Sequence, residues 1–381
     1  MTERAASDPR AAVEPRNLVI CLDGTTNEPE TGFTNVARLF DVCVKDDTQL
    51  VYYDPGVGTM GSRAAVTQIG RAATRFGGMV AGYGIRDNIE EAYGWLCTRY
   101  RPGDQIYVFG FSRGAYTARA LTGMLRTVGL LHPDALNLVP YALKLYTTRG
   151  PEDVPAAPDE PKPAAVQEYW RLRNDFRTKF GNPDFPVPFR RTKQVRFLGV
   201  WDTVKSVGWL NLRARVEIAR WPFTANIDNV ETARHALALD ERRRPFAEYR
   251  FAGEKLDRRD VQEMWFAGVH GDIGGSCRPD SRLPDVALSW MVDEAHAAGI
   301  RINRKAYRRN LDIGFGTPLP DDRVLGPIVG NNAVWRLARG WRDREVRHDD
   351  LIHPSVAHRV QHTAGDAKPY RAPVRSAEAG R

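Results

Sequence analysis

Hydrophobic positions along this chain fall into two kinds of run that alternate. Short, nearly continuous apolar stretches are Asn17 to Leu22 (NLVICL), Gln49 to Tyr53 (QLVYY), Gln105 to Gly110 (QIYVFG), Gln194 to Trp201 (QVRFLGVW) and Glu263 to Val269 (EMWFAGV). Their β-branched and aromatic make-up is that of strands covered on both faces. Between them, apolar residues recur at helical spacing, as in NVARLFDVCV from Asn35 and YGIRDNIEEAYGWLCTRY from Tyr83 to Tyr100. Strand and helix in alternation predict an α/β fold on a doubly wound, mostly parallel sheet.

The alternation breaks between about residues 131 and 192. Pro151, Pro155, Pro158, Pro161 and Pro163 crowd there, followed by the helical segment AVQEYWRLRNDFRTKF and then GNPDFPVPF. This reads as a Pro-rich, partly helical insertion placed to act as a cap. Residues 1–16 and 363–381 are polar and rich in Pro, Ala or Arg, and are expected to be disordered tails around one domain spanning 17–362.

At 381 residues, with 42% hydrophobic and 27% charged, the chain has the material for one large core. The net charge of +8 comes from arginines scattered among acids, with short local runs such as Arg190-Arg191 and Arg242-Arg243-Arg244. That dispersion argues against a nucleic-acid partner and allows peripheral contact with an anionic membrane. No apolar stretch is long enough to span a bilayer, and the polar start MTERAASDPRAAVEPR has no signal-peptide core. The default location is the cytoplasm, with signal-independent export left open. Cys21, Cys43, Cys97 and Cys277 are widely spaced, which excludes a CxxC zinc site or a disulfide framework and predicts buried, reduced thiols.

The candidate chemistry begins where the run Gln105 to Gly110 stops at a serine. Gly110-Phe111-Ser112-Arg113-Gly114 is a G-x-S-x-G sequence between a strand and a helix, the context of a nucleophile elbow. The sharp turn strains the serine backbone and requires small neighbours two residues away, which Gly110 and Gly114 supply. It also aims the Arg113 backbone N–H at a developing oxyanion. A serine nucleophile needs a base and an acid to orient it, at the ends of later strands. QVRFLGVW runs into Asp202 and EMWFAGV leads to His270, so these are the favoured acid and base; His353 is the rival base, and Asp272, Asp240 and Glu241 are rival acids. A second oxyanion donor is expected from Gly24 or Thr25 after the first strand, with Asp23 holding that loop by hydrogen bonds. The Arg113 side chain either binds a substrate phosphate or packs over the helix start.

Two competing motifs fail on their details. Gly56 to Gly61 (GVGTMG) spells G-x-G-x-x-G, but Asp54-Pro55 separates it from its strand and no strand-end acid follows at ribose distance. CLDGTT resembles a phosphatase loop, yet Cys21 stands where the nucleophilic Asp belongs. No cofactor and no metal are therefore expected.

The stretches NLVICLDGTTN, TNVARLF, YYDPGVGT, VFGFSRGAYTARALTGML, FLGVWDTV, ALALDERRRPF and WFAGVHGDIGGS together resemble the α/β-hydrolase domain family that includes the catalytic domain of type 1 lipase effectors of the type VI secretion system. The resemblance implies an α/β-hydrolase whose substrates are glycerophospholipids, and its motif residues fall on Ser112, Asp202 and His270. The expected function is a serine esterase, most concretely a lipase or phospholipase. The alternatives are a serine acyltransferase or peptidase, and a non-catalytic interaction domain on the same fold. A lipid or other ester is the expected partner; an immunity or secretion partner is left unnamed.

Overall fold

The computed structural model describes residues 15–24, 33–56, 80–148, 164–187, 193–204, 221–252, 260–275, 282–328 and 342–373. Within them seven strands form one sheet: β1 (Asn17–Leu22), β2 (Gln49–Asp54), β3 (Gln105–Phe111), β4 (Val195–Trp201), β5 (Val230–Ala238), β6 (Asp260–Phe266) and β7 (Leu351–Ile352). Their spatial order is β2-β1-β3-β4-β5-β6-β7, and every pairing is parallel.

Because side chains alternate across a strand, a doubly covered sheet needs apolar residues at every position. Leu18, Ile20 and Leu22 of β1 enter one core, while Val19 and Cys21 enter the other. The first core is closed by α2 (Val80–Arg99), α3 (Arg113–Val128), α4 (Val139–Thr147) and α5 (Ala164–Phe180). The second is closed by α1 (Asn35–Val42), α7 (Pro284–Ala297) and α8 (Arg304–Leu311). Short helices α6 (His270–Gly274) and α9 (Asp321–Val324) and the terminal α10 (Pro354–His362) complete the described α-helices. No described helix is long and apolar enough to cross a membrane.

From β1 the chain winds outward both ways, to β2 on one side and through β3 to β7 on the other. The switch lies between β1 and β3, and in open parallel sheets the carboxyl ends of strands at such a point frame a binding crevice. Asp23 and Ser112 stand at those two ends.

Several sequence expectations need correction. VETARHALA has the Ala, Glu and Arg content of a helix, yet it forms the strand β5, which carries His235. Ala233, Ala236 and Ala238 are fully buried there, so packing between two layers overrides local propensity. β6 ends at Phe266 rather than Val269. Arg16, expected in the tail, is buried with its Nη2 2.7 Å from Asp104 Oδ2. At the other end Tyr370 and Ala372 pack against the small core cluster that holds Trp265 and Val356, and the Tyr370 hydroxyl donates to Asp240 Oδ2 at 2.9 Å. In the insertion, Leu143 and Tyr146 of α4 and Phe176 of α5 belong to the first core. Cys21, Cys43 and Cys97 are buried free thiols; Cys277 lies outside the described residues.

Candidate active site

Ser112 follows β3 directly and opens α3, with φ +57° and ψ −119°. This backbone conformation is costly for any residue but glycine. It is held from both sides: the Ser112 N–H donates to the Trp201 carbonyl at 3.1 Å, and the flanking glycines let strand and helix close up. A methyl on Gly110 would lie 2.4 Å from the Gly114 carbonyl oxygen.

Asp202 follows β4 in the same way, also at positive φ (+38°), with its N–H donating to the Ala236 carbonyl at 2.7 Å. His270 starts α6. Two of the four described non-glycine residues with positive φ thus meet at one place. His270 Nδ1 is 2.6 Å from Asp202 Oδ2, and His270 Nε2 is 2.8 Å from Ser112 Oγ. A carboxylate only accepts, so the proton sits on Nδ1, Nε2 carries the lone pair, and the Ser112 hydroxyl donates to it. The imidazole is flanked by the rings of Phe111 and Phe246, with centroids 4.7 and 4.8 Å away. Asp202 is fully buried.

The remaining candidates divide. Asp23 Oδ1 accepts from the Gly24 N–H at 2.6 Å, and Asp23 Oδ2 accepts from Thr34 Oγ1 and from the Tyr53 hydroxyl, the latter at 2.8 Å. The carboxylate therefore braces its loop, and the Gly24 N–H is engaged there instead of standing open for an oxyanion. Thr25 lies outside the described residues. At the other donor position, the Arg113 N–H opens α3, where no intrahelical acceptor exists. No carboxylate pairs with the Arg113 guanidinium among the described residues, and burial pushes its pKa down to about 10.

The rival acids and base serve the scaffold. Asp240 Oδ2 accepts from the Gly268 N–H at 2.7 Å, Glu241 Oε2 from the His270 N–H at 3.2 Å and Asp272 Oδ2 from the Val269 N–H at 3.0 Å. All three hold the backbone around His270. His353 caps α10 and stacks on Phe266. Of the GVGTMG run only Gly56 is described; a methyl there would sit 2.6 Å from the carbonyl oxygens of Asp23 and Gly24, so that run starts against the Asp23 loop.

Sequence reasoning missed Arg344. Its Nη1 donates to Asp202 Oδ1 and to the Ala238 carbonyl (3.0 Å), while its Nη2 donates to Asp202 Oδ2 (2.9 Å) and to the Phe246 carbonyl (2.6 Å). Asp202 Oδ1 also accepts from the Ala238 N–H at 3.0 Å, so each carboxylate oxygen takes two hydrogen bonds. Burial alone would raise the Asp202 carboxyl, but Arg344 and His270 hold it well below the usual carboxylate range. Arg344 sits in an irregular stretch after Asp343 with no periodic signal, so nothing in the sequence marks it.

Residues of metal-ligand type converge elsewhere: Asp321, His358 and His362 place their ligand atoms within 4.8 Å of one another. They share no residue with the Ser112 site, and His358 Nε2 lies 3.0 Å from Asp321 Oδ1.

Comparison with known proteins places the chain in a family. The family model described as the catalytic domain of Tle1-like type VI secretion phospholipase effectors matches residues 16–294. A Saccharomyces cerevisiae protein described as uncharacterized protein YEL023C is 33% identical over 244 residues, which cover 62% of this chain and 33% of that protein. The chain thus spans about a third of that relative's length. Among solved structures, the Tle1 effector bound to the VgrG spike is similar at 18% identity and TM-score 0.35, over 68% of this chain and 51% of that one. An uncharacterized Pseudomonas aeruginosa protein is similar at 18% identity and TM-score 0.40, over 76% of this chain and 47% of the other.

Proposed function

The chain belongs to the family of Tle1-like phospholipase effector catalytic domains, and from that premise we propose that it is a serine esterase acting on glycerophospholipids through Ser112, His270 and Asp202. The observation that carries the reading is the unbroken relay from Ser112 Oγ to His270 Nε2 (2.8 Å) and from His270 Nδ1 to Asp202 Oδ2 (2.6 Å), built on two strained strand ends.

In this reading the Ser112 oxygen attacks the ester carbonyl carbon while its proton passes to His270 Nε2. Asp202 keeps Nδ1 protonated and stabilises the imidazolium that forms. The carbonyl electrons move onto oxygen, where the Arg113 N–H donates at the positive end of α3. Collapse of the tetrahedral intermediate expels the alcohol, which takes the proton from His270 as it leaves. Water, deprotonated by the same imidazole, then frees the acid and restores Ser112. The Arg113 guanidinium, next in sequence to the nucleophile and without a carboxylate partner among the described residues, is a cation suited to a headgroup phosphate.

Fatty-acid release from phosphatidylglycerol and phosphatidylethanolamine vesicles tests the reading. Wild type is expected to release acid and Ser112→Ala to lose turnover by several orders of magnitude. Release that persists in Ser112→Ala, or none from folded wild type, overturns it.

A further inference from the structure

The acid of this site is clamped by a buried cation. A triad carboxylate held only by backbone N–H groups keeps its full negative charge next to the imidazole, whereas Asp202 shares both oxygens with the Arg344 guanidinium. The same guanidinium donates to the Phe246 carbonyl at 2.6 Å, and the Phe246 ring flanks His270. One side chain therefore reaches both the partner of Nδ1 and a wall of the imidazole.

We propose that Arg344 is a positioning residue that fixes the plane of the Asp202 carboxylate and offsets its charge, so that the Ser112 site works at lower pH than an uncompensated carboxylate would allow. The proposal rests on the reading of Ser112, His270 and Asp202 as a triad. A bidentate fork has one orientation on a carboxylate, and here that orientation leaves Oδ2 facing His270 Nδ1. The electrostatic part follows from sign alone: a cation beside a proton-binding site weakens proton binding, and low dielectric amplifies the effect.

The other charged groups around the site leave Arg344 as the cation joined to the Asp202 carboxylate. Glu241, from the turn after β5, accepts the His270 N–H and is paired with Arg243 (2.7 Å). His235 of β5 has its Nδ1 2.8 Å from Glu263 Oε1, and its Nε2 accepts from the Thr203 N–H at 3.2 Å, which leaves it neutral. Asp272 on α6 turns to the Val269 N–H, and Glu248 lies on the Arg344 side.

The test is the pH dependence of fluorophosphonate labelling in the full chain, for wild type, Arg344→Gln and Arg344→Lys, with circular dichroism as the check on folding. Arg344→Gln is expected to move the acid limb upward by about one pH unit and to lower the plateau rate by roughly a hundredfold. Arg344→Lys keeps the charge and loses the fork; its acid limb should stay within about 0.3 units of wild type while its plateau falls at least about tenfold. A folded Arg344→Gln protein with an unmoved or lowered acid limb overturns the inference. Should that variant not be recovered folded, the Lys variant decides, and a plateau equal to wild type overturns it. A wild type that takes no label at any pH overturns the triad reading and this inference together.

Discussion

A methyl group on Gly114 would lie 2.2 Å from the Leu22 carbonyl oxygen. The first turn of α3 and the end of β1 thus touch backbone to backbone, and this contact sets where Ser112 stands relative to the Asp23 loop. Gly114→Ala has to displace one of two main chains, an overpacking cost of about 1–3 kcal/mol or more. Urea unfolding should show a lowered midpoint together with loss of serine labelling. An unchanged midpoint would mean that the contact is slack.

Asp202 and Ser112 are expected to separate on stability. Asp202→Asn strands the Arg344 cation in a buried site, and breaking one half of such a pair costs about 3–5 kcal/mol. Ser112→Ala leaves the backbone and its neighbours in place, so its change should stay within about 1 kcal/mol. Denaturant midpoints of the two variants measured side by side check this; equal midpoints would show that Arg344 finds other compensation.

Acidification should weaken the fold through His235 and Glu263. Burial pushes His235 down to about 4, so the unfolded chain takes a proton that the folded state refuses. For Glu263, burial would raise the value, but hydrogen bonds from His235, Arg250 and the Phe251 N–H hold it down to about 2. In both cases the folded value lies below the unfolded one. The sign is therefore common: stability is present near neutral pH, and is lost first through His235 between its ordinary value and about 4, then through Glu263 from the ordinary glutamate range down to about 2. Urea midpoints between pH 7 and pH 4 should fall, and His235→Gln should flatten that stretch. A slope unaffected by the substitution would assign the effect to other groups.

Arg113 divides headgroup recognition from ester chemistry. Its backbone N–H survives substitution, so Arg113→Gln should lower kcat/KM on a phospholipid at least about tenfold while changing hydrolysis of an uncharged p-nitrophenyl ester by less than about threefold. Equal losses on both substrates would remove Arg113 from the headgroup and leave it a packing role at the helix start.

The sheet and the three residues that meet at its edge were legible because each follows a run with a strong local signal. VFGFSRG shows strand, turn and helix within a few residues, and VWDTV shows an acid at the end of an apolar strand. β5 was hidden because a central strand squeezed between two layers uses alanine, which local propensity assigns to helix. Arg344 was hidden for a different reason. Its partner Asp202 is remote in sequence, and the irregular segment around it has no period from which a direction can be inferred. Glu241 and Asp240 were noticed as acids, but only the folded chain shows that they hold the main chain around His270 instead of its ring.

The central claim is that Ser112 is an activated nucleophile. Intact-mass analysis of the purified chain after fluorophosphonate treatment, with the adduct mapped by peptide sequencing, tests it most directly. One adduct per chain, located on Ser112 and absent from His270→Ala, is the predicted result. A folded chain that gains no mass, or gains it at another residue, would contradict the claim.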